Sequence, residues 1–145
     1  MATCAPSLFT ALIHTELGVW NAVESALSQA GNALTLGRFL VLRTVHDTPA
    51  CRIQEVAASQ GITLGAASRL VDRLHRDGLL HRTPCEHDRR ATILTVTDQG
   101  LVHLEEACVI VDKEQERIFA PLSTAQREEL TRSLTLIAEA SKGRA

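Results

Sequence analysis

Arginine placement is where this chain could do chemistry. Arg69, Arg73 and Arg76 recur at spacings of four and three, with Ser68 beside them, and Arg89 and Arg90 follow as a pair. A guanidinium can pair bidentately with a guanine edge or clamp a phosphate, and a serine hydroxyl can bond either. Just upstream, Thr63 can cap the free amides at the start of a helix, and the small residues Gly65 and Ala66 let that helix end approach a phosphate closely. The run His87-Asp88-Arg89-Arg90 would carry two guanidiniums on a projecting loop, a shape that reaches a narrow minor groove. Asp88 looks misplaced beside phosphates, and is expected to orient the Arg90 guanidinium by a charge-assisted bond. Asp72 and Arg76, four apart, can pair along the helix, which leaves Arg76 the weakest candidate contact.

Thiols and imidazoles offer a competing chemistry. Cys85, His87 and Asp88 bring the right groups for a metal ion or for a nucleophile with its base. An exposed loop excludes no water and supplies ligands from one side only, so no metal, no cofactor and no catalytic residue is expected. Cys4, Cys51, Cys85 and Cys108 are scattered, without the C-x-x-C spacing of zinc sites or the density of disulfide scaffolds. Cys4 falls in the terminal segment, and Cys108, next to Val109, reads as packing. If thiol oxidation acts on this protein, Cys51 and Cys85 are the candidates, since each adjoins an element that would touch DNA.

These groups need a scaffold, and 145 residues suit one domain, or one domain with an oligomerisation element. With 45% apolar and 22% charged residues the chain is globular; with 3% aromatic residues and no Tyr, its core must be aliphatic and its fold mainly helical. No run approaches the ~18 apolar residues of a membrane span, and no charged region followed by an apolar stretch opens the chain. A soluble, unexported protein of the reducing cytoplasm, without a membrane partner, is expected. The net charge of −2 argues against coating nucleic acid by bulk charge. Residues 38–90, however, carry nine Arg against six acids, while both flanks are acidic.

Periodicity and turn residues give the order of elements. A helix runs from Pro6-Ser7 to Ala30, with Leu12, Glu16, Val19, Val23 and Leu27 at the spacings of three and four of an amphipathic helix. Thr35 caps a second helix to about His46, ended by Asp47-Thr48-Pro49, and a third spans about Ile53 to Gln60. Gly61-Ile62-Thr63 is a three-residue turn into a fourth helix, Leu64 to Asp77. That helix turns Leu64, Ala67, Leu70, Val71 and Leu74 to the core and Gly65, Ser68, Arg69, Asp72, Arg73 and Arg76 away from it. After Gly78, Leu79 to Arg82 and Thr92 to Val96 form a hairpin around a charged tip from Pro84 to Arg90. Thr97 caps a long helix to about Phe119, Pro121 breaks it, and Ser123 with Gln126 opens a last helix to about Ser141. The fold class is therefore mainly α with a small β-hairpin wing. A helix-turn-helix followed at once by a hairpin is a winged helix, whose second helix can enter the DNA major groove.

The runs Ser68-Arg69-Leu70-Val71-Asp72-Arg73-Leu74, Asp77-Gly78-Leu79-Leu80-His81-Arg82, Asp88-Arg89-Arg90-Ala91 and Leu94-Thr95-Val96-Thr97-Asp98-Gln99-Gly100 resemble the multiple-antibiotic-resistance regulator (MarR) family of bacterial transcription factors. The match is dense over about residues 35–100 and looser at the ends. The resemblance implies one MarR-like domain over 1–145. Its winged helix would span about 35–97, and helices at about 7–30 and 98–141 would form a homodimer. It further implies a repressor bound to a pseudo-palindromic double-stranded DNA operator and released by a small-molecule effector or by cysteine oxidation. Ser68, Arg69 and Arg73 fall on the family's recognition-helix positions; Asp88 and Arg90 match its wing D-x-R pattern, with Arg89 in the variable middle place. The lack of Tyr departs from the peroxide-sensing branch. An effector would lie in a crevice where apolar residues of the first, second and fifth helices converge. Two competing readings are a winged-helix module that binds protein rather than DNA, and a thiol enzyme built on Cys85 or Cys51.

Overall fold

Hydroxyl side chains set where the helices begin. The computed structural model describes residues 7–142; Cys4 lies outside them. Ser7, Thr35, Thr63 and Thr97 each sit in extended backbone and accept a hydrogen bond from the amide three residues on, opening α1 (Leu8–Gln29), α2 (Leu36–Asp47), α4 (Leu64–Arg76) and α5 (Asp98–Phe119). Ser123 and Gln126 bond reciprocally, side chain to backbone, at 2.9 and 3.2 Å ahead of α6 (Thr124–Lys142). The short α3 (Ile53–Gln60) stops at Gly61, whose φ of 61° is the left-handed stop expected there.

One aliphatic core joins these helices to the hairpin. Leu27 of α1, Val41 and Leu42 of α2, Val56 of α3 and Val71 and Leu74 of α4 are buried together with Leu80, Leu94 and Ala107. Leu64 is a correction: it was expected in the core and is 57% exposed, because it is the first residue of α4, a turn ahead of Ala67 where burial begins. On α1 only Val23 and Leu27 are buried, while Ile13, Leu17 and Trp20 stay exposed; α6 has no buried residue.

The wing consists of β1 (Leu80–Cys85) and β2 (Asp88–Val96), paired antiparallel. Both strands run further toward the tip than expected, so the turn itself is only Glu86-His87. The register goes from Leu80 opposite Val96 to Pro84 opposite Thr92, then breaks, and Cys85 faces Asp88. Arg89, Arg90 and Ala91 thus have no opposite residue and form a bulge in β2. Pro84, with no amide proton to give the ladder, sits at the break. At the other end, the Leu94 amide donates to the Cys51 carbonyl at 2.8 Å, which moors β2 to the loop before α3.

Helix α5 is fastened to the base of the wing. The Thr97 hydroxyl donates to the Gly78 carbonyl at 2.6 Å, and the Thr97 amide to the Leu79 carbonyl at 3.1 Å. A Cβ on the buried Gly100 would lie 2.3 Å from the Leu79 carbonyl oxygen and 2.7 Å from Val96 Cγ1. Gly100→Ala is therefore expected to lower stability by about 1–3 kcal/mol or more, despite the better helix propensity of Ala. A fall in the urea midpoint checks it; an unchanged midpoint would mean that α5 can move off the wing freely.

Candidate nucleic-acid interface

The face of α4 follows from what the helix must bury. Ala67, Val71 and Leu74, at intervals of four and three, are fully buried, so the opposite side is turned to solvent with Gly65, Arg69, Arg73 and Arg76 on it. Ser68 and Asp72 lie at the margins, half-buried. Thr63 is occupied in capping, its hydroxyl 3.2 Å from the Ala66 amide. Nothing lies within 4 Å of where a Cβ on Gly65 would stand. The surrounding protein leaves that space open for something outside the chain.

Two ion-pair expectations are corrected. Asp72 pairs at 2.5 Å with Arg82 of β1, not with Arg76, which ties α4 to the wing and leaves the Arg76 guanidinium unengaged. Asp88 does not hold the Arg90 guanidinium. Its Oδ1 accepts from the Arg90 backbone amide at 3.0 Å, a local turn that shapes the bulge and lets both tip guanidiniums project. His87 sits in the exposed turn, and Asp88, Arg89 and Arg90 are exposed after it.

Pairing of arginines divides the molecule. Arg43, Arg117, Arg127 and Arg132 each meet a carboxylate near them in space, as Arg38 meets Asp77 and Arg82 meets Asp72. Among the described residues, Arg52, Arg69, Arg73, Arg76, Arg89 and Arg90 form no ion pair, and all of these but Arg52 lie on α4 or the wing. Unpaired guanidiniums are thus concentrated on α4 and the wing, where the positive potential is available to an external anion.

Of the described thiols only Cys85 lies on this surface. Cys51 is fully buried, and burial, then the Glu55 carboxylate, pushes its thiol up from the ordinary value, so the candidate redox role loses its reactive form there. Cys85 is half-buried in the wing. Cys108 packs against the core as expected, and its Sγ also lies 3.5 Å from Arg43 Nη1; the two are 65 positions apart, a contact no local pattern signals. Among the described residues no three His, Cys, Asp or Glu side chains gather as a metal site.

Two hollows adjoin α2. An open groove of about 600 Å³ between α2 and α3 is lined by Leu40, Arg43, Thr44, Glu55, Ser59 and Gln60 among others. It shares only α2 with the crevice expected among the first, second and fifth helices. A smaller hollow, about 270 Å³, lies between α2 and α4 and is lined by Thr35, Arg38, Leu70, Arg73, Arg76 and Asp77.

The MarR family model matches residues 34–92, which span the helix-turn-helix and most of the wing. The regulator BilQ of Clostridium symbiosum is 31% identical over 119 residues, covering 82% of this chain and 79% of that protein. The chain belongs to the MarR family. The transcriptional repressor CouR of Rhodococcus jostii, solved bound to a 23-mer DNA duplex, is 30% identical with a TM-score of 0.82, over 91% of this chain and 92% of that one. The MarR-family protein Rv2887 of Mycobacterium tuberculosis, solved with salicylic acid, is 27% identical with a TM-score of 0.70, over 94% and 99%. Membership makes this chain a transcriptional regulator and not an enzyme, which overturns the thiol-enzyme reading. Among the described residues no helix is long and apolar enough to cross a membrane.

The thiol geometry gives a direct check. In the native protein, alkylation at neutral pH should label Cys85 and Cys108 well before Cys51, with Cys51 reacting only once denaturant is added. Peptide masses read this out, and early labelling of Cys51 would mean that the α2–α3 loop opens.

Proposed function

We propose that this chain is a homodimeric, sequence-specific DNA-binding repressor of the cytoplasm. The observation that carries the reading is the set of unpaired guanidiniums on α4 and the wing, in a protein whose other described arginines are mostly paired. The exposed side of α4, with Ser68, Arg69 and Arg73, enters the major groove and reads base edges. Gly65 and the end of α4 capped by Thr63 approach a phosphate, and the wing, with His87, Asp88, Arg89 and Arg90, lies in or beside the minor groove.

Residues 35–97 form the DNA-binding part, and the helices over 7–30 and 98–141 join two copies. The apolar side chains that α1 and α6 leave uncovered support that division, among them Leu17, Trp20, Leu134 and Ile137. Two-fold symmetry then calls for a pseudo-palindromic operator, its half-sites one helical turn, ~34–36 Å, apart. A small-molecule effector releases the operator, and the groove beside α2 is of a size to hold one. Arg43 joins that groove to α5 through Cys108, so occupancy there bears on the geometry between the two parts.

Anisotropy titrations with the operator duplex test the reading. Arg90→Ala should weaken binding to every duplex and flatten the salt dependence, whereas Arg69→Ala or Arg73→Ala should cost about 1–3 kcal/mol on the operator and change base preference. Asp88→Ala removes a negative charge near phosphates and is nonetheless expected to weaken binding, because the bulge that aims Arg89 and Arg90 loses its internal bond. A monomer indifferent to all duplexes at low salt would end the proposal, and tighter binding by Asp88→Ala would end the role given to the bulge.

A further inference from the structure

The hollow between α2 and α4 brings three guanidiniums, Arg38, Arg73 and Arg76, to one small space against a single carboxylate, Asp77. Each has a different status. Arg38 pairs with Asp77, yet its Nε is buried without a hydrogen-bond partner. Arg73 and Arg76 are exposed and, among the described residues, form no ion pair. Asp72, the one acid at helical spacing from Arg76, is taken by Arg82. The first amide of α2, that of Leu36, is already held by Glu24 Oε2 at 2.7 Å, so the helix end contributes little and the attraction comes from the side chains.

Position along α4 says what such a cluster meets. From Arg69 to Arg76 the helix rises about 10 Å, comparable with the ~12 Å width of the major groove. A helix that sets Arg69 and Arg73 over base edges therefore delivers Arg76 to the backbone that borders the groove. The hollow opens on this side, since Arg73 lines it as well.

The geometry points to Arg76, with Arg38 beside it, as a seat for one backbone phosphodiester of the DNA, an anchor that fixes how deep α4 sits and carries no sequence preference. It rests on the DNA-binding reading above. The recognised chemistry is a phosphate oxyanion, and its source is the duplex rather than free phosphate. A planar donor fork suits the oxyanion better than an ammonium does, but either charge releases a counterion on binding.

The test uses the full chain, its operator duplex and an unrelated duplex of equal length. Arg76→Ala should lower affinity for both by the same factor, roughly five- to tenfold near 0.1 M salt, and reduce the slope of log K against log salt by about one. Arg76→Lys should restore the slope. Replacing single flanking phosphates by neutral methylphosphonates should reveal one position where the wild type weakens and Arg76→Ala weakens no further. Thermal melting of the Arg76 variants should match the wild type, since this exposed side chain takes no part in the core. Wild-type protein that binds no duplex would defeat the function itself. Wild-type binding with an unaltered slope in Arg76→Ala, or a loss confined to the operator, would overturn the anchor alone. So would saturable, Arg76-dependent uptake of millimolar inorganic phosphate by the DNA-free protein with no change in the DNA slope.

Discussion

The apolar stripe of α4 is the constraint on which the interface depends. Ala67, Val71 and Leu74 are each wholly buried, and at that spacing a helix can dock in one orientation only. Turning α4 by a single residue position, about 100°, would drive Asp72 or Arg73 into a core that, among the described residues, holds no buried charge, at a cost far above the few kcal/mol that any surface contact returns. The outward direction of Arg69, Arg73 and Arg76 is therefore a by-product of hydrophobic burial. Solvent-facing arginines need no scaffold of their own when the opposite side of the helix is this committed.

The wing obeys a different logic. A two-stranded hairpin is marginal alone, and here its base is clasped on three sides: by the Asp72–Arg82 pair from α4, by the Leu94 amide on the Cys51 carbonyl, and by Thr97 and Gly100 against Gly78 and Leu79. Its outer end is released by the break at Pro84, and the unopposed Arg89, Arg90 and Ala91 are shaped only by the Asp88 turn. A rigid base and a self-shaped tip place two guanidiniums at a distance from the body without asking the tip to pack against anything.

What could be read from the chain beforehand follows the range of the interactions involved. The caps at Thr35, Thr63 and Thr97 were legible, because a cap and its target amide are three residues apart, and so was the stop at Gly61. The stripe of α4 was legible for the same reason, except at Leu64, where the helix begins before the core does. Partners across elements were not. Asp72 had a plausible neighbour on its own helix, and only the fold brings Arg82 close enough to win it. Cys108 beside Arg43 and Arg38 beside Asp77 are of the same kind. Asp88 was a narrower miss. Its short side chain reaches a backbone amide two residues on more readily than a mobile guanidinium, and the strand bulge supplies the geometry.

These cross-element pairs explain how a protein with a net charge of −2 can still present a strongly positive surface. The acidic C-terminal helices match their described arginines to carboxylates locally, Arg117 with Glu114, Arg127 with Glu116 and Arg132 with Glu129, so what they leave over is negative and they offer no free guanidinium to an external anion. In the winged helix the carboxylates are spent instead on joints: Asp72 on β1, Asp77 on α2, Asp88 on its own backbone. Each acid that serves as a joint occupies a group whose position matters to the fold and leaves a neighbouring guanidinium unmatched. Structural pairing and the excess of free positive charge on α4 and the wing are thus one arrangement, set by which arginine each aspartate can reach.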